Sequence, residues 1–385
     1  MGLNQTSVLG RQQRLYVRSE SAAGTWVAPR GQDAIRVKKA DIKLDIPRVD
    51  RTDARQHPDR VERITHLRSV TFAAEGYFAP SGTAGTAPDE GELLRGLFGV
   101  ETVNASTSVV YTLSGSQTIP TFTAHREDSA VVMRSATGVV INQGKFSGKG
   151  GSEAMSSYTG LGMQYAHTGT STLNDASALN GDTTVTIQTA DIANFSTNSY
   201  IQIGTSTGHQ VTGGAGTATL TISPGLSGGQ SNGAAVTPYV PTETISSYVL
   251  PVTLGTVTLA STTLPFTEYE VEIDNGFKPN DQQGGIAYVT DFIRGFRTVK
   301  GSVTVRATKD QILFLGKYNN SVSTTQALTI AVGNVAGYIA TFSIPYAEIN
   351  LAELDVPEAD EALIKLPFEA LASSSGNDAI TLTFT

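Results

Sequence analysis

Glu268-Tyr269-Glu270-Val271-Glu272-Ile273-Asp274-Asn275-Gly276 alternates acidic and apolar side chains without a break and then stops at an Asn-Gly pair. Successive side chains of a strand point to opposite faces, so Tyr269, Val271 and Ile273 share a dry face and the carboxylates a wet one. Asn-Gly readily takes the positive φ of a tight turn and here predicts a hairpin. A calcium loop at Asp274-Asn275-Gly276 is the rival reading, but the downstream glutamate an EF-hand needs is missing.

The same period recurs on both sides. Asp41–Ile46 sets Ile42, Leu44 and Ile46 against Asp41, Lys43 and Asp45, and Val299–Ala307 sets Val303 and Val305 among Ser302, Thr304 and Arg306. Further strands are predicted at Leu328–Val332, Tyr338–Ile344, Ala362–Ala370 and Ile380–Phe384, with Pro367 placing its strand near an edge. Helical signals are few. Asp89 and Glu92 have capping-box spacing after Pro88, and Leu93, Leu94, Leu97 and Phe98 form one apolar face, which predicts a helix over about 89–98 ended by Gly99. Thr308 and Gln311 suggest a second short helix at Lys309–Lys317.

From Thr172 to Thr242 the composition shifts to Thr, Gly, Ser and Ala, with short strands predicted at Thr184–Gln188, Tyr200–Ile203 and Ala218–Ile222. These runs are too regular for a disordered linker and predict a small inserted β-domain. The expected division is therefore 1–171, 172–242 and 243–385, the outer two parts forming one mainly β domain.

Among 385 residues there is no cysteine, which excludes disulfides, thiolate metal sites and cysteine nucleophiles. Net charge is −8, divided as +4 over 1–149, −9 over 150–277 and −3 over 278–385. Residues 150–277 carry no Lys or Arg at all, so that span offers no phosphate-binding surface. The basic residues gather in a charged loop over 47–68, where Arg48, Arg51, Arg55, Arg60, Arg63 and Arg68 alternate with Asp50, Asp53, Asp59 and Glu62. Mixed signs argue against a DNA patch and suit a loop that meets another copy or a neighbour, where complementary charge fixes register. A plain solvated hairpin is the alternative.

Catalytic signatures are absent. His57, His66, His125, His167 and His209 make no zinc-binding spacing and read as surface or turn residues. Nucleotide-binding glycine loops and a serine elbow are missing. Adjacent Asp360 and Glu361 do not make a convergent acid–base pair. Trp26 reads as a core aromatic. No catalytic, cofactor or metal site is expected, no stretch is apolar enough for a membrane helix, and the N-terminus lacks a secretory core.

Several separated stretches, in order, resemble the major tail tube proteins of long-tailed bacteriophages and prophages. They are Glu20–Pro29 with the strand region that follows, Val70–Gly76 leading into Ala87–Val100, Asp274–Gly276 through Phe292–Ser302, and the Gly337–Phe384 meander. The resemblance covers about 20–165 and 245–385, and 172–242 resembles the optional surface domains of such proteins.

The resemblance implies two antiparallel sheets packed as a sandwich or partial barrel with a short flanking helix. It also implies hexameric rings stacked into a hollow tube in the virion tail, with phage DNA passing through the lumen unbound. Implied partners are further copies of the chain, the tape measure, the terminator and the distal tail or baseplate proteins. On this reading Arg48, Asp50, Arg51, Asp53, Arg55, Asp59, Arg60, Glu62 and Arg63 are contact candidates between subunits, and Glu268, Glu270 and Glu272 are lumen candidates. Rival readings are another β-rich tail component, such as a terminator, hub or decoration protein, and a carbohydrate-binding adhesin.

Overall fold

Strand Val132–Lys149 runs through the molecule, and its two halves belong to different sheets. A computed structural model describes residues 12–50, 63–116, 118–176, 178–246, 249–252, 255–280, 284–308, 325–350, 352–356 and 361–385. The first half of the strand lies between Phe122–Asp128 and Gln164–Thr168, and the second between Met155–Gly162 and Phe266–Asp274. Its register slips between Ala136 and Val139 and again between Ile141 and Gln143. Such bulges bend a strand. Gly138, at φ 63°, sits in this bend, where a Cβ would collide with Met163.

The ladders between the described strands are antiparallel. The smaller sheet runs Ala34–Ile35, Gln13–Ser19, Phe122–Asp128, Val132–Thr137, Gln164–Thr168. The larger begins Lys39–Asp45, Ser69–Tyr77, Met155–Gly162, then crosses the long strand to Phe266–Asp274, Thr298–Arg306 and Leu363–Ala370. Ala340–Ile349 joins it next and branches to Thr325–Val332 on one side and Thr381–Phe384 on the other. From Thr381–Phe384 the sheet continues through Ser108–Leu113 to Gly99–Asn104. The fold is mainly β, its sheets curling as a partial barrel around one core. At its centre Phe146 lies 5.1 Å from both Phe78 and Phe342, ring centre to ring centre, with Tyr158 on its edge at 5.9 Å.

The period-2 strands lie where alternation puts them. Tyr269, Val271 and Ile273 are buried on Phe266–Asp274, and Ala40 and Ile42 on Lys39–Asp45. The helix α1 spans Gly91–Phe98 and buries Leu93, Leu94, Leu97 and Phe98. Gly96 and Gly144 let it lie close, since a Cβ on either would strike Phe122 and Ile141 or Leu97. Gly99, at φ 106°, ends it by donating its N–H to Arg95 O.

Four expectations need correction. The capping box does not form: Glu90 is the N-cap, and Asp89 instead accepts a hydrogen bond from Ser246 N–H at 3.3 Å. Pro367 is not at an edge; its strand is paired with Thr298–Arg306 on one side and with Ala340–Ile349 and Glu353–Asp355 on the other. It is tolerated because the ladder breaks opposite it, where Asn350 N–H bonds Pro367 O and no proline N–H is required. Asn275-Gly276 does not close a two-residue hairpin. Gly276 (φ 65°) redirects the chain into a second arm, Phe277–Pro279 paired with Phe292–Arg294, before Thr298–Arg306 returns. Asn275 is buried there because its amide donates to Leu97 O and Ile141 O and accepts from Arg297.

The histidines are the fourth correction, since His125 and His209 are core residues. His125 Nε2–H donates to Val27 O at 2.8 Å, which leaves Nδ1 to accept from the Ser135 hydroxyl. Burial pushes the His125 pKa down to about 4. His209 is fixed the same way between Pro224 O and Ser206. Trp26 is half-buried, its indole N–H on Gln164 at 3.4 Å. The helix expected at Lys309–Lys317 lies outside the described residues.

Ser171–Pro238 builds a separate six-stranded sheet, in the order Ser171–Thr172, Ala235–Pro238, Tyr200–Ile203, Ser206–Gly213, Thr219–Ser223, Thr184–Thr186. Leu173, Ile187, Ile201, Val211, Leu220 and Val236 give it its own core. It is tied to the main body by Tyr16 Oη donating to Pro241 O at 2.9 Å, by an Arg14–Glu243 ion pair at 2.7 Å and by the Tyr200 ring at 5.6 Å from His125.

Candidate assembly surface

Two hairpin arms leave the larger sheet side by side. The first pairs Arg48–Asp50 with Arg63–Thr65 and extends the neighbouring strands Lys39–Asp45 and Ser69–Tyr77 beyond the body. The second is the Phe277–Arg294 excursion. A short parallel contact joins them, with Arg68 N–H on Ala287 O at 3.0 Å and Val289 N–H on Arg68 O at 2.9 Å. Cations cover the aromatic rings nearby, Arg68 over Tyr288 at 5.6 Å and Arg294 over Phe277 at 5.7 Å. Phe277, Val289 and Phe292 anchor the second arm on Val140 and Met163.

Between the arms lies an open groove of about 960 Å³, bordered by Pro47, Leu67, Pro279, Ile286, Val289 and Ile293. Apolar side chains also face solvent on the arms, Val49 52% exposed, Ile64 51% and Ile293 54%, and Phe296, two residues past the second arm, is 97% exposed. Single exposed apolar residues are ordinary; here Val49 and Ile64 face each other across the first arm and Ile293 borders the groove, so exposed apolar surface recurs on both arms.

Of the charged loop, Arg48, Asp50 and Arg63 lie on the first arm, where Arg63 Nε meets Asp50 Oδ1 at 2.9 Å. Arg51, Asp53, Arg55, Asp59, Arg60 and Glu62 lie outside the described residues. Sequence reasoning singled out the charges and missed the apolar group beside them. Its signals are Val49 between Arg48 and Asp50, Ile64 beside Arg63, and Phe296 in Arg294-Gly295-Phe296-Arg297, all apolar residues embedded in charge.

Glu268, Glu270 and Glu272 share one half-buried face and stand in a ladder with lysines. Lys149 reaches Glu268 at 2.8 Å, Lys145 reaches Glu270 at 2.9 Å and Lys300 reaches Glu272 at 3.4 Å. The face is electrically balanced by cations from both flanking strands, which alternation within one strand could not reveal. These pairs are partly exposed and individually weak. Lys145→Glu is expected to destabilise the chain by under about 1 kcal/mol by like-charge crowding, and adding Glu270→Lys should restore most of the loss. A urea-denaturation double-mutant cycle checks this; additive losses would show that the pair does not interact.

Among the described residues no group of three or more His, Asp or Glu side chains could hold a metal ion. Likewise, no described helix is long and apolar enough to cross a membrane. No protein-family model matches the chain, and a search of curated proteins finds no match.

Proposed function

We propose that the chain is a structural subunit, the major tail tube protein of a long-tailed phage, which stacks as rings into a hollow tube conducting DNA. The observation that carries this reading is the pair of arms with Val49, Ile64 and Ile293 left in solvent, and Phe296 exposed just past the second. Burying such side chains against a further copy yields about 1.5–3 kcal/mol for each large one fully covered, and the flanking charges Arg48, Asp50 and Arg63 give the contact a fixed register. The curled sheet supplies the second support. A strand such as Gly99–Asn104, paired on one side only among the described strands and carrying exposed Val100 and Val103, is a template for intermolecular pairing, and a closed ring would remove that edge. The balanced Glu–Lys face supports passive passage of DNA, because a wall without surplus cations offers little counterion-release binding.

A terminator or hub protein built on the same fold would use the same arms but stop at one ring. Negative-stain electron microscopy of the concentrated protein separates the two. Hollow fibres of uniform width with a regular axial repeat are expected; single rings would favour the terminator, and a persistent monomer that binds glycan would favour an adhesin.

A further inference from the structure

Helix α1 begins on a buried acid. Glu90 is 5% exposed, and its carboxyl points into the core instead of capping the helix. Oε2 accepts hydrogen bonds from the Ser156 and Tyr158 hydroxyls, both at 2.8 Å, while Oε1 has no hydrogen-bond partner. The strand that supplies Ser156 and Tyr158 is the central Met155–Gly162, and Tyr158 packs on Phe146.

Among the described residues no cation acts on Glu90; the titratable groups near it are acids and phenols. Asp89 precedes it in the chain and, like Glu90's burial, works against its ionisation. On Ser108–Leu113, Tyr111 hydrogen-bonds Glu101 of the next strand at 2.6 Å. In the first turn of the helix Glu92 is taken up by Arg95 at 3.0 Å, with Ser19 on its other oxygen at 3.4 Å. Burial pushes the Glu90 pKa up to about 7, against the Tyr158 and Ser156 hydrogen bonds that pull it down.

We propose that Glu90 is a proton-operated latch. With its proton on, it clamps the start of α1 onto Met155–Gly162; without it, a buried charge met by no cation loosens the helix and the edge strand Gly99–Asn104 that continues from it. This inference stands apart from the assembly reading, since it concerns a single chain. The closed state holds a proton that an opened, solvated carboxyl gives up at its ordinary pKa, roughly 4.3. Closure is therefore strongest below that value, weakens by up to tenfold per pH unit as pH rises toward about 7, and levels off above it.

Amide hydrogen exchange of residues 91–104, corrected for intrinsic rates, tests the latch at pH 5 and pH 7.5. Protection in the unaltered chain is expected to fall at least tenfold between the two, and Glu90→Gln should abolish the fall. An unaltered chain with equal protection at both, or a Glu90→Gln chain with the same fall, would overturn the proposal. Should Glu90→Gln not fold, Tyr158→Phe gives an independent reading. It removes a donor to the ionised carboxyl, so the levelling-off should move to higher pH; an unmoved profile would overturn the latch as well.

Discussion

A chain carrying Val49→Asp, Ile64→Asp and Phe296→Asp together is expected to sediment as a monomer at concentrations where the unaltered chain forms long assemblies. All three side chains are more than half exposed in the single chain, so replacing them removes little packing, and the two carboxylates opposed across the first arm at 49 and 64 add a local cost of about 1 kcal/mol or less. Surface changes away from packed features stay within about 0.5 kcal/mol each. At an interface, by contrast, three buried carboxylates would each carry an uncompensated desolvation cost of several kcal/mol, enough to abolish association. Sedimentation velocity on the two chains, with urea denaturation as the control for folding, checks the prediction. Unchanged assembly from the triple variant would remove the arms from the contact.

Phenylalanine at two positions gives the second large effect through its contrast. Phe146→Ala is expected to destabilise the chain by about 3–5 kcal/mol. Phe146 is fully buried among Phe78, Phe342 and Tyr158, and it sits on the strand that both sheets share, so the cavity cannot collapse from either side. Phe296→Ala removes the same ring from a site that is 97% exposed and should cost under about 0.5 kcal/mol. Urea denaturation of the two variants compares them directly. A small effect at Phe146 would contradict the arrangement of the core. A large one at Phe296 would mean that its ring packs within the chain.

What the sequence disclosed follows from where the physics is local. Alternation in Asp41–Ile46 and Glu268–Asp274 located half-buried strands because a strand with one wet face writes its period into the chain. Strand Phe122–Asp128 breaks the rule. Thr123, His125, Arg126, Glu127 and Asp128 are all buried, so its polar sequence gives no sign of its central place. Arg126 is accommodated there by Asp128 of the same strand at 2.8 Å and by Asp41 at 2.9 Å, and the second comes from a distant strand whose approach no local pattern encodes.

The assembly surface was half legible for the same reason. Charge in 48–63 is a local compositional signal, whereas the exposure of Phe296 depends on Gly276 turning the chain into a second arm. Balance of Glu268, Glu270 and Glu272 by Lys149, Lys145 and Lys300 depends on cross-strand register, which forms only once three distant segments pair. Glu90 falls inside the stretch 89–98 that reads as helix, and nothing local shows its inward carboxyl, which depends on Ser156 and Tyr158 from a distant strand.

The most direct test of the central claim is a helical reconstruction by cryo-electron microscopy of fibres grown from the concentrated protein. The account predicts a hollow tube in which Val49, Ile64 and Phe296 are buried against neighbouring copies and the Ser171–Pro238 sheet lies on the outside. Fibres that leave the arms in solvent, or a protein that forms no fibres, would contradict it.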